Sequence, residues 1–507
     1  MDLDISKTRS NTATTWVVAK FGGTSVARPD RWQSIRGLVQ RHQAEGHRSL
    51  VVCSALSGIT NRLEKLLEAA RAGEDLSEPL DAIWQQHVKL AVELGVDAEA
   101  AVGPTMASLR GRATALARRA QVDPRSHAGV MAHGELMSTR LGAAWLRAQG
   151  VDVAFADARE MLHAPEPAEG TAETQRYLSA TCDFAADPAL IARLQDSAQV
   201  VITQGFIARD DAGDTVLLGR GGSDTSAAYL ASKVQAARLE IWTDVPGMFS
   251  ANPGAVPAAR LVPELGYQEA QTLAGLGAKV LHPRCLRALH EQHIPLHLGS
   301  TEHPEQGGTR INGVTPSGGI RAIVSRKGLY LLSMRRPPEW QPVGFMAEVA
   351  ACFHRHGISM DLVSSSPSEI RATIDAGAFP DVRERLEALV SDLRAVCEPE
   401  LTGDVASVSL VGHRPLNDAH RYATATRLMQ HHDLRLVAHA ADEAHLSYVV
   451  DAAVVDELVS ELHAALFEQQ PTEGSEHGPS FEELAAVAAN ARSMAAPRIA
   501  QRSPARA

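Results

Sequence analysis

An apolar strand followed by two glycines places one lysine where it could handle phosphate. The stretch Trp16–Val26 runs through Lys20 into a turn at Gly22 and Gly23. Paired glycines allow a ligand to approach the backbone closely and permit positive φ, so that successive N–H groups can converge on phosphate oxygens. A lysine at the end of such a strand supplies a mobile positive charge for a phosphoryl group in transfer. A simple strand and turn with an exposed lysine explains the spacing about equally well.

A second glycine-rich loop carries an arginine and leads into a predicted helix. It lies within Leu217–Ala228, with Arg220 in the loop and Ser223, Asp224 and Thr225 at the start of the helix. Glycines against a helix N-terminus form an anion site, because unpaired N–H groups and the helix dipole both favour negative charge. The guanidinium group suits a carboxylate. The alternative is that Ser223 or Asp224 only caps the helix, but two such loops in one domain favour an anion site.

Further segments carry residues that suit the same chemistry. Ser54–Asn61 is a turn of small residues after the second strand, where α/β folds bind ligands. Asp244 ends a later strand and is a possible partner for a nucleotide or a metal. Lys279 stands in the first turn of a predicted helix, where a cation is favoured only beside an anion. Glu135, taken alone, could be an ordinary surface carboxylate.

The elements that must position these residues alternate between short β-branched runs and amphipathic helical stretches. This rhythm predicts an α/β domain with a mainly parallel sheet over residues 16–300, after a disordered N-terminus at residues 1–15. Leu76–Arg119 is predicted as extra helices inserted after the second strand. The predicted strands are Trp16–Lys20, Ser49–Ser54, Val151–Ala156, Gln199–Gln204, Arg238–Thr243 and Ile294–Leu298.

The pattern changes after residue 300. Residues 301–319 hold five glycines and two prolines, which predicts a linker. Residues 320–400 and 401–468 then repeat one βαββα order, at an offset of about eighty residues. Such a duplicated module suits small-molecule sensing or dimerisation about equally, since exposed sheet edges of two copies can pair. Residues 469–507 are predicted to be largely disordered, with weak helical periodicity around residues 481–494.

Composition excludes several classes of protein. The 507 residues carry 49 Lys plus Arg against 60 Asp plus Glu, a net charge of −11, so we expect no non-specific binding of nucleic acid. We expect no membrane span, because no apolar run reaches 18 residues, and no secretory signal. Five scattered cysteines without a CxxC pair indicate a reducing, cytoplasmic location and argue against disulfides and a zinc site. Neither a Walker A triplet nor protein-kinase motifs occur.

Four motifs together strongly resemble the aspartokinases of the amino acid kinase family: Lys20–Val26, Gly219–Asp224, Trp242–Gly247 and Gly277–Pro283. Their order and spacing match from about residue 16 to 468. The duplicated module is similar to the tandem ACT domains of that family, and the chain looks closest to the single-subunit type and to the kinase half of bifunctional aspartokinase/diaminopimelate decarboxylase. The resemblance implies a three-layer αβα catalytic domain with a mainly parallel sheet, followed by two α+β ACT modules of βαββα order.

The resemblance also implies an activity and a set of site residues. The activity is transfer of the γ-phosphoryl group of MgATP to the β-carboxylate of L-aspartate, giving 4-phospho-L-aspartate, the first step of lysine, threonine and methionine biosynthesis. The implied catalytic residues are Lys20, Arg220 and Asp224. Those implied for ATP are Lys20, Phe21, Gly22, Gly23, Thr243, Asp244, Phe249, Lys279 and Val280. Those implied for aspartate are Ser54, Thr60, Glu135, Arg220, Gly221, Gly222 and Ser223, with Arg220 on the α-carboxylate and Glu135 on the α-ammonium. The ligands of the magnesium ion stay unassigned.

Two segments bear on nucleotide affinity and regulation. Phe249–Gly254 stands where many members have Tyr…Asp-Pro-Arg, which predicts a weaker hold on ATP without loss of activity. The segment Ser359–Ser366 of the first ACT module is similar to the one that binds the feedback amino acid in that family. The implied effector residues, for lysine or threonine, are Met346, Ser359, Met360, Asp361, Ser365 and Ser366, with Asp361 receiving an ammonium group.

The resemblance further implies a homodimer or larger homo-oligomer that forms through the ACT modules. Two alternative functions stay open. One is a kinase of the same fold that acts on another acid, such as acetylglutamate or carbamate. The other is a non-catalytic amino-acid sensor with a vestigial kinase domain, which the intact Lys20, Arg220 and Asp224 disfavour.

Overall fold

The computed structural model describes residues 15–278, 280–314, 319–337, 343–377, 381–440, 444–468 and 477–495. The chain divides into two compact units. The first unit comprises the chain up to Gly247 together with Val280–Val314, and the second comprises Met248–Lys279 and the chain from Thr315 onward. The predicted catalytic domain of residues 16–300 is therefore interrupted, because Met248–Lys279 packs with the second unit.

Strands and helices are numbered here in chain order. The strands are β1 Trp16–Phe21, β2 Arg48–Cys53, β3 Val153–Phe155, β4 Val200–Gln204, β5 Ile207–Arg209, β6 Thr215–Leu217, β7 Arg238–Thr243, β8 Glu264–Gly266, β9 Leu296–Ser300, β10 Gly308–Asn312, β11 Gly319–Arg335, β12 Val363–Ser365, β13 Glu369–Asp375, β14 Glu398–His413, β15 Leu436–His439 and β16 His445–Asp451. The helices are α1 Gly23–Val26, α2 Pro29–Ala44, α3 Ile59–Ala72, α4 Ser77–Leu94, α5 Ala98–Arg119, α6 Pro124–Met131, α7 His133–Ala148, α8 Glu173–Leu178, α9 Pro188–Gln195, α10 Gly222–Lys233, α11 Tyr267–Leu276, α12 Pro283–Glu291, α13 Phe345–His356, α14 Val382–Leu393, α15 Ala419–Met429, α16 Val455–His463 and α17 Phe481–Ala495.

The first unit is built on a mainly parallel sheet, as predicted. Within the first unit its strands follow the order β3-β4-β2-β1-β7-β9-β10, in which neighbours are parallel except that β10 runs antiparallel to β9. The central strands are apolar and buried without alternation, which is typical of parallel strands covered on both faces. The carboxyl ends of β1, β2, β4 and β7 share one edge, where the predicted site residues fall. The predicted inserted helices are present as α4 and α5.

The predicted linker at residues 301–319 is wrong in part. Gly308–Asn312 forms β10 and pairs with β9, so this stretch is an integral edge of the first sheet. Its glycines allow the close strand contact, because a Cβ on Gly308 would lie 2.0 Å from the backbone oxygen of Leu298. Glycine content alone did not distinguish a close-packed edge strand from a flexible connection.

A buried polar cluster stabilises the amino-terminal half of β7. The Glu240 carboxylate is 1% exposed and accepts hydrogen bonds from Arg238 Nε at 2.7 Å and Trp242 Nε1 at 2.8 Å. The His42 ring lies 3.1 Å from the same carboxylate. Burial favours the neutral acid, but the hydrogen bonds and charges of His42 and Arg238 outweigh it and lower the pKa of Glu240 to about 2. The cluster is therefore a paired, structural one.

The second unit contains the duplicated βαββα order, which the structure confirms. The two copies join through their long first strands, β11 and β14, into one six-stranded sheet of order β12-β13-β11-β14-β16-β15. One apolar cluster lies in the first copy and a second lies mainly in the second copy, and a smaller cluster joins Leu331 of the first copy with Leu436 of the second. The second strand of the first copy, β12, is short, because Asp361 and Leu362 bond to Thr373 outside the regular ladder.

The prediction of a largely disordered tail is wrong for residues 477–495. The segment before α17 lies along Leu261, with backbone hydrogen bonds from Gly478 N to Leu261 O at 2.7 Å and from Leu261 N to Pro479 O at 2.9 Å. The ring of Phe481 meets that of Phe249 edge to face, with centroids 5.7 Å apart. Leu261 and Phe249, the residues that the tail contacts, are distant from it in sequence. The periodicity of the tail alone therefore could not reveal this packing. Within the described part of the chain, no helix has both the length and the apolar character needed to cross a bilayer.

Candidate active site

The carboxyl end of β1 and the start of α10 meet in an ion pair. Lys20 Nζ lies 2.6 Å from Asp224 Oδ1, and their side chains are only 12% and 13% exposed. The sequence separates these residues by about two hundred positions, but β1 and the loop before α10 end at the same edge of the sheet. Because the pair is largely shielded from water, its charges interact more strongly than a surface pair would. Two of the three predicted catalytic residues, Lys20 and Asp224, are therefore brought together.

Of the two glycines after Lys20, Gly23 is required for close packing, whereas Gly22 has room for a Cβ. Neither has a positive φ. A Cβ on Gly23 would lie 2.8 Å from the backbone oxygen of Ala55, and one on Gly22 would lie 3.8 Å from Lys20 Nζ. The amide of Gly22 already donates to the carbonyl oxygen of Trp242 at 3.3 Å. The expectation of positive φ at these glycines is thus wrong, and a phosphate bond to the Gly22 amide would compete with an existing one.

The turn that follows β2 lies beside a buried acid, Glu135 of α7. Ser57 N donates to Gly23 O at 3.2 Å, which fixes the turn against the first glycine loop. Glu135, near the start of α7, is 4% exposed. Burial raises the pKa of Glu135 to about 8, and a hydrogen bond from the backbone of Ala55 offsets only part of that rise. Glu135 is therefore no ordinary surface carboxylate, and the turn carries two further predicted residues, the partly exposed Ser54 and the exposed Thr60 at the start of α3.

The glycine loop before α10 is a left-handed turn with no room for side chains. Gly221 has φ +65°, and a Cβ there would lie 2.2 Å from Cγ of His282. A Cβ on Gly222 would lie 2.6 Å from Cδ2 of Phe206. The helix begins directly after Gly221 with no side-chain cap. The capping alternative for Ser223 or Asp224 is therefore wrong, and Asp224 is directed to Lys20 instead.

Arg220 and Ser223 occupy the two ends of this turn. The Arg220 side chain is exposed, and it has no hydrogen-bond or ion-pair partner among the described residues. Ser223 packs on Gly205, where a Cβ would lie 2.6 Å from the Cβ of the serine. A planar guanidinium at the mouth of a turn beside a cation–carboxylate pair can bind a carboxylate of a small ligand.

The residues predicted for the nucleotide fall into separate places. Thr243 Oγ1 donates to Asp244 Oδ1 at 2.9 Å at the end of β7, and Val280 is half-buried in the same unit. Lys279 lies outside the described residues. Phe249 belongs to the second unit, where it is 8% exposed and packs in the apolar core with Phe481. The expected role of Phe249 at the nucleotide is not supported by this placement.

Sequence reasoning missed several residues at this edge. His282 contacts the glycine turn at Gly221, but no role was predicted for it. Its place in the motif Gly277–Pro283 is the signal that could have indicated such a contact. Phe206 has φ +68°, a conformation that costs energy for a side chain of this size and often marks a functional site. Ser25 Oγ lies 2.7 Å from Thr301 Oγ1, and no pattern in the sequence links those two segments.

The predicted effector residues lie in the second unit. Asp361 is paired with Arg326, with Nη1 and Oδ2 3.2 Å apart, and Arg326 also binds Asp375. Partial burial raises the pKa of Asp361, while the charge of Arg326 opposes that rise. Ser366 Oγ accepts from Glu369 N at 3.1 Å in the turn between β12 and β13. The remaining predicted effector residues are mostly exposed or half-buried: Met346, Ser359, Met360 and Ser365.

No group of three or more His, Cys, Asp or Glu side chains in the described ranges is arranged to hold a metal ion. Single carboxylates are present at the edge, since Asp244 is exposed and Asp224 faces Lys20. This arrangement fits a magnesium ion that is held mainly by nucleotide phosphates, because magnesium usually takes only one or two protein carboxylates in such sites.

Comparison with known proteins agrees with this geometry. Residues 15–300 match the amino acid kinase family. The lysine-sensitive aspartokinase 3 of Escherichia coli is 34% identical over 461 residues, covering 89% of this chain and 99% of the relative. A chloroplastic aspartokinase 3 of Arabidopsis thaliana is 28% identical over 483 residues, covering 91% and 84%.

Solved structures give the same answer. The crystal structure of Escherichia coli aspartokinase III with aspartate and ADP has a TM-score of 0.76 and 32% identity, and it covers 89% of this chain and 99% of that one. The same enzyme with lysine and aspartate has a TM-score of 0.71. The chain therefore belongs to the amino acid kinase family and, within it, to the aspartokinases.

Proposed function

We propose that this aspartokinase transfers the γ-phosphoryl group of MgATP to the β-carboxylate of L-aspartate and releases ADP and 4-phospho-L-aspartate. The observation that carries the proposal is the shielded Lys20–Asp224 pair between two tight glycine turns. The Escherichia coli relative whose structure was solved with aspartate and ADP supports this choice of substrates.

The reaction needs charge neutralisation more than acid–base catalysis. A β-carboxylate has an ordinary pKa near 4 and is already ionised at neutral pH, so no general base has to activate it. The difficulty is to bring this anion to the phosphoryl group while negative charge spreads over the phosphoryl oxygens. We assign Lys20 to bridge the two reacting groups, and Asp224 to orient the lysine through the 2.6 Å ion pair.

We assign the recognition of aspartate to groups on both sides of this pair. Arg220 offers a planar pair of donors for the α-carboxylate. Glu135 receives the α-ammonium, and because burial raises its pKa to about 8, it gives up a proton when the cationic group binds. Ser54, Thr60 and Ser223, with the backbone of Gly221 and Gly222, complete the proposed pocket.

For the nucleotide we assign the residues at the ends of β1 and β7. We assign Phe21, Gly22 and Gly23 to the phosphates, and Thr243, Asp244 and Val280 to the rest of the nucleotide. Lys279 lies outside the described residues, and its predicted role at the nucleotide stays a prediction. The exposed carboxylate of Asp244 and that of Asp224 are the candidate protein ligands for magnesium, which, when bound, neutralises charge on the phosphate oxygens. Phe249 is left out of this assignment, because it packs in the core of the second unit.

We further propose feedback regulation by an amino acid at the first ACT module, and lysine or threonine is the expected effector. The structure of Escherichia coli aspartokinase III with lysine supports lysine as the first choice. Arg326 already pairs with Asp361, so an effector ammonium would have to share or displace that guanidinium. The homodimer or larger homo-oligomer is proposed to form through the ACT modules. The five free, buried cysteines agree with a cytoplasmic location, which stays a prediction.

A trapping assay tests the proposed activity directly. Purified protein, MgATP and hydroxylamine are incubated with L-aspartate, acetylglutamate, carbamate or no acid, and the hydroxamate and ADP are measured. We expect turnover with aspartate alone. Turnover with another acid would replace the substrate, and binding of amino acids without any turnover would favour the sensor alternative.

A further inference from the structure

The first turn of α12 contacts the glycine loop before α10 at two points, one on each side of Arg220. The His282 ring lies against the α-carbon of Gly221, where a Cβ would be 2.2 Å from the ring Cγ and 2.6 Å from Cδ2. The Arg284 guanidinium donates from Nη1 to the carbonyl oxygen of Leu218 at 2.9 Å. Arg220 therefore stands on a segment of four residues, Leu218–Gly221, whose two ends are both held by one helix turn.

Each of these two side chains is itself fixed. His282 caps α12, because its Nδ1 accepts a hydrogen bond from Arg284 N at 3.3 Å. Since that nitrogen accepts, a neutral ring must carry its proton on Nε2. Arg284 Nη2 also donates to Ala180 O at 3.2 Å and to Thr181 Oγ1 at 3.1 Å. The helix turn is thus anchored independently of the loop that it contacts.

Arg220 has no such anchor of its own. Its side chain is exposed and without a partner among the described residues, so the position of its guanidinium depends on where the backbone places it. His282 is in electrostatic contact with Arg220 and Asp224, and its pKa is lowered by burial and by the charges of Arg284 and Arg220, against a smaller opposing effect of Asp224. A neutral ring at this place adds no repulsion to Arg220.

We propose that His282 and Arg284 are positioning residues that hold the backbone on both sides of Arg220, so that its guanidinium is preorganised for the α-carboxylate of the substrate. The proposal rests on the proposed aspartate kinase function. Preorganisation matters here because a displacement of about 1 Å in a binding group can cost two orders of magnitude in rate.

His282→Asn separates this role from a purely structural one. Asparagine is a favoured N-cap, so it keeps the hydrogen bond that begins α12 but removes the ring from Gly221. We expect the KM for aspartate to rise roughly tenfold, with the KM for ATP unchanged and the melting temperature close to that of the wild type. Arg284→Lys removes the guanidinium that donates to the carbonyl oxygen of Leu218, and it should also raise the KM for aspartate. His290→Asn, the same substitution on the exposed side of α12, is the matched control and should leave both KM values unchanged.

A double-mutant cycle with Arg220→Lys decides whether the effect passes through Arg220. Lysine keeps the charge but not the planar pair of donors, so the additional effect of His282→Asn should largely disappear in that background. The inference is overturned if His282→Asn raises the KM for aspartate as much in the Arg220→Lys background as in the wild type. It is also overturned if His282→Asn alone leaves the KM for aspartate equal to that of the wild type. A fall in kcat with both KM values unchanged indicates loss of folded enzyme and would also overturn it. If the wild-type protein shows no aspartate-dependent turnover, the proposed function fails first and on its own.

Discussion

Removal of the positive charge from the Lys20–Asp224 pair tests both the catalytic role of the lysine and its structural role. Lys20→Met keeps the length of the side chain but leaves the Asp224 carboxylate, 13% exposed, without its counter-charge. Loss of one partner from a buried pair costs about 3–5 kcal/mol, and we expect about 3 kcal/mol here because some solvent reaches both groups. Loss of one charged group that stabilises the transition state lowers kcat by about 10²–10³. The single variant should therefore be both about 10²–10³-fold slower and less stable.

The double variant Lys20→Met/Asp224→Asn distinguishes the two effects. It contains no uncompensated charge, so the urea midpoint should recover most of its loss while hydroxamate formation stays as slow as in the single variant. The matched control is Lys233→Met. Lys233 lies on α10, the helix that also carries Asp224, and its Nζ lies 3.3 Å from Oδ2 of Asp183, whose side chain is 58% exposed. Retention of more than about a tenth of wild-type kcat in Lys20→Met would refute the catalytic assignment. A double variant as unstable as the single one would refute the argument from the buried charge.

Three further predictions test the rest of the assignment. Because Glu135 must be ionised to hold an ammonium group and its pKa is about 8, the KM for aspartate should fall as pH rises from 6 to 9, and Glu135→Gln should raise this KM and abolish the trend in steady-state assays. Glu240→Gln should lower the free energy of unfolding by about 2–3 kcal/mol in urea titrations at pH 7. Since the folded pKa of Glu240 is depressed to about 2, its stabilisation is present above the unfolded pKa and is lost as pH falls toward 2, so wild type and variant should converge in acid. Phe481→Ala should destabilise the second unit by about 1–2 kcal/mol through the lost contact with Phe249, whereas the exposed Glu482→Ala should leave the urea midpoint unchanged.

The fold could be predicted wherever its signal is local. Continuous apolar runs such as β1 and β4 indicate buried parallel strands, and the βαββα order is visible because it occurs twice. Failures occurred where the pairing partner of a segment, near or distant in sequence, decides its structure. The glycines near β10 looked like a linker because the strand that they approach, β9, cannot be seen in their composition. The tail looked disordered because its partner, Leu261, lies more than two hundred residues earlier.

The site was predictable to a similar extent. Residue types and spacing indicated Lys20, Arg220 and Asp224, since Lys20 stands near the end of a strand before one glycine turn, Arg220 lies in the other glycine turn, and Asp224 follows that turn at the start of a helix. What the sequence could not give is the partner of each group. The carboxylate of Asp224 could serve a helix cap or a lysine, and only the structure shows that the helix starts without a side-chain cap and that Asp224 pairs with Lys20.

Before substrate binds, burial and ion pairing determine the charge of each acid at the site more than its residue type does. A lysine withdrawn from water needs a counter-charge, and Asp224 supplies it at 2.6 Å before any substrate is present. A second ionised carboxylate nearby would repel both incoming anions, but burial keeps Glu135 mostly protonated at neutral pH, with a pKa of about 8. Binding of an ammonium group then favours its ionisation, so negative charge develops at Glu135 only where a cation is present to neutralise it. A site that must accept two anions can therefore contain two acids, because one is paired and the other is neutral until the substrate arrives.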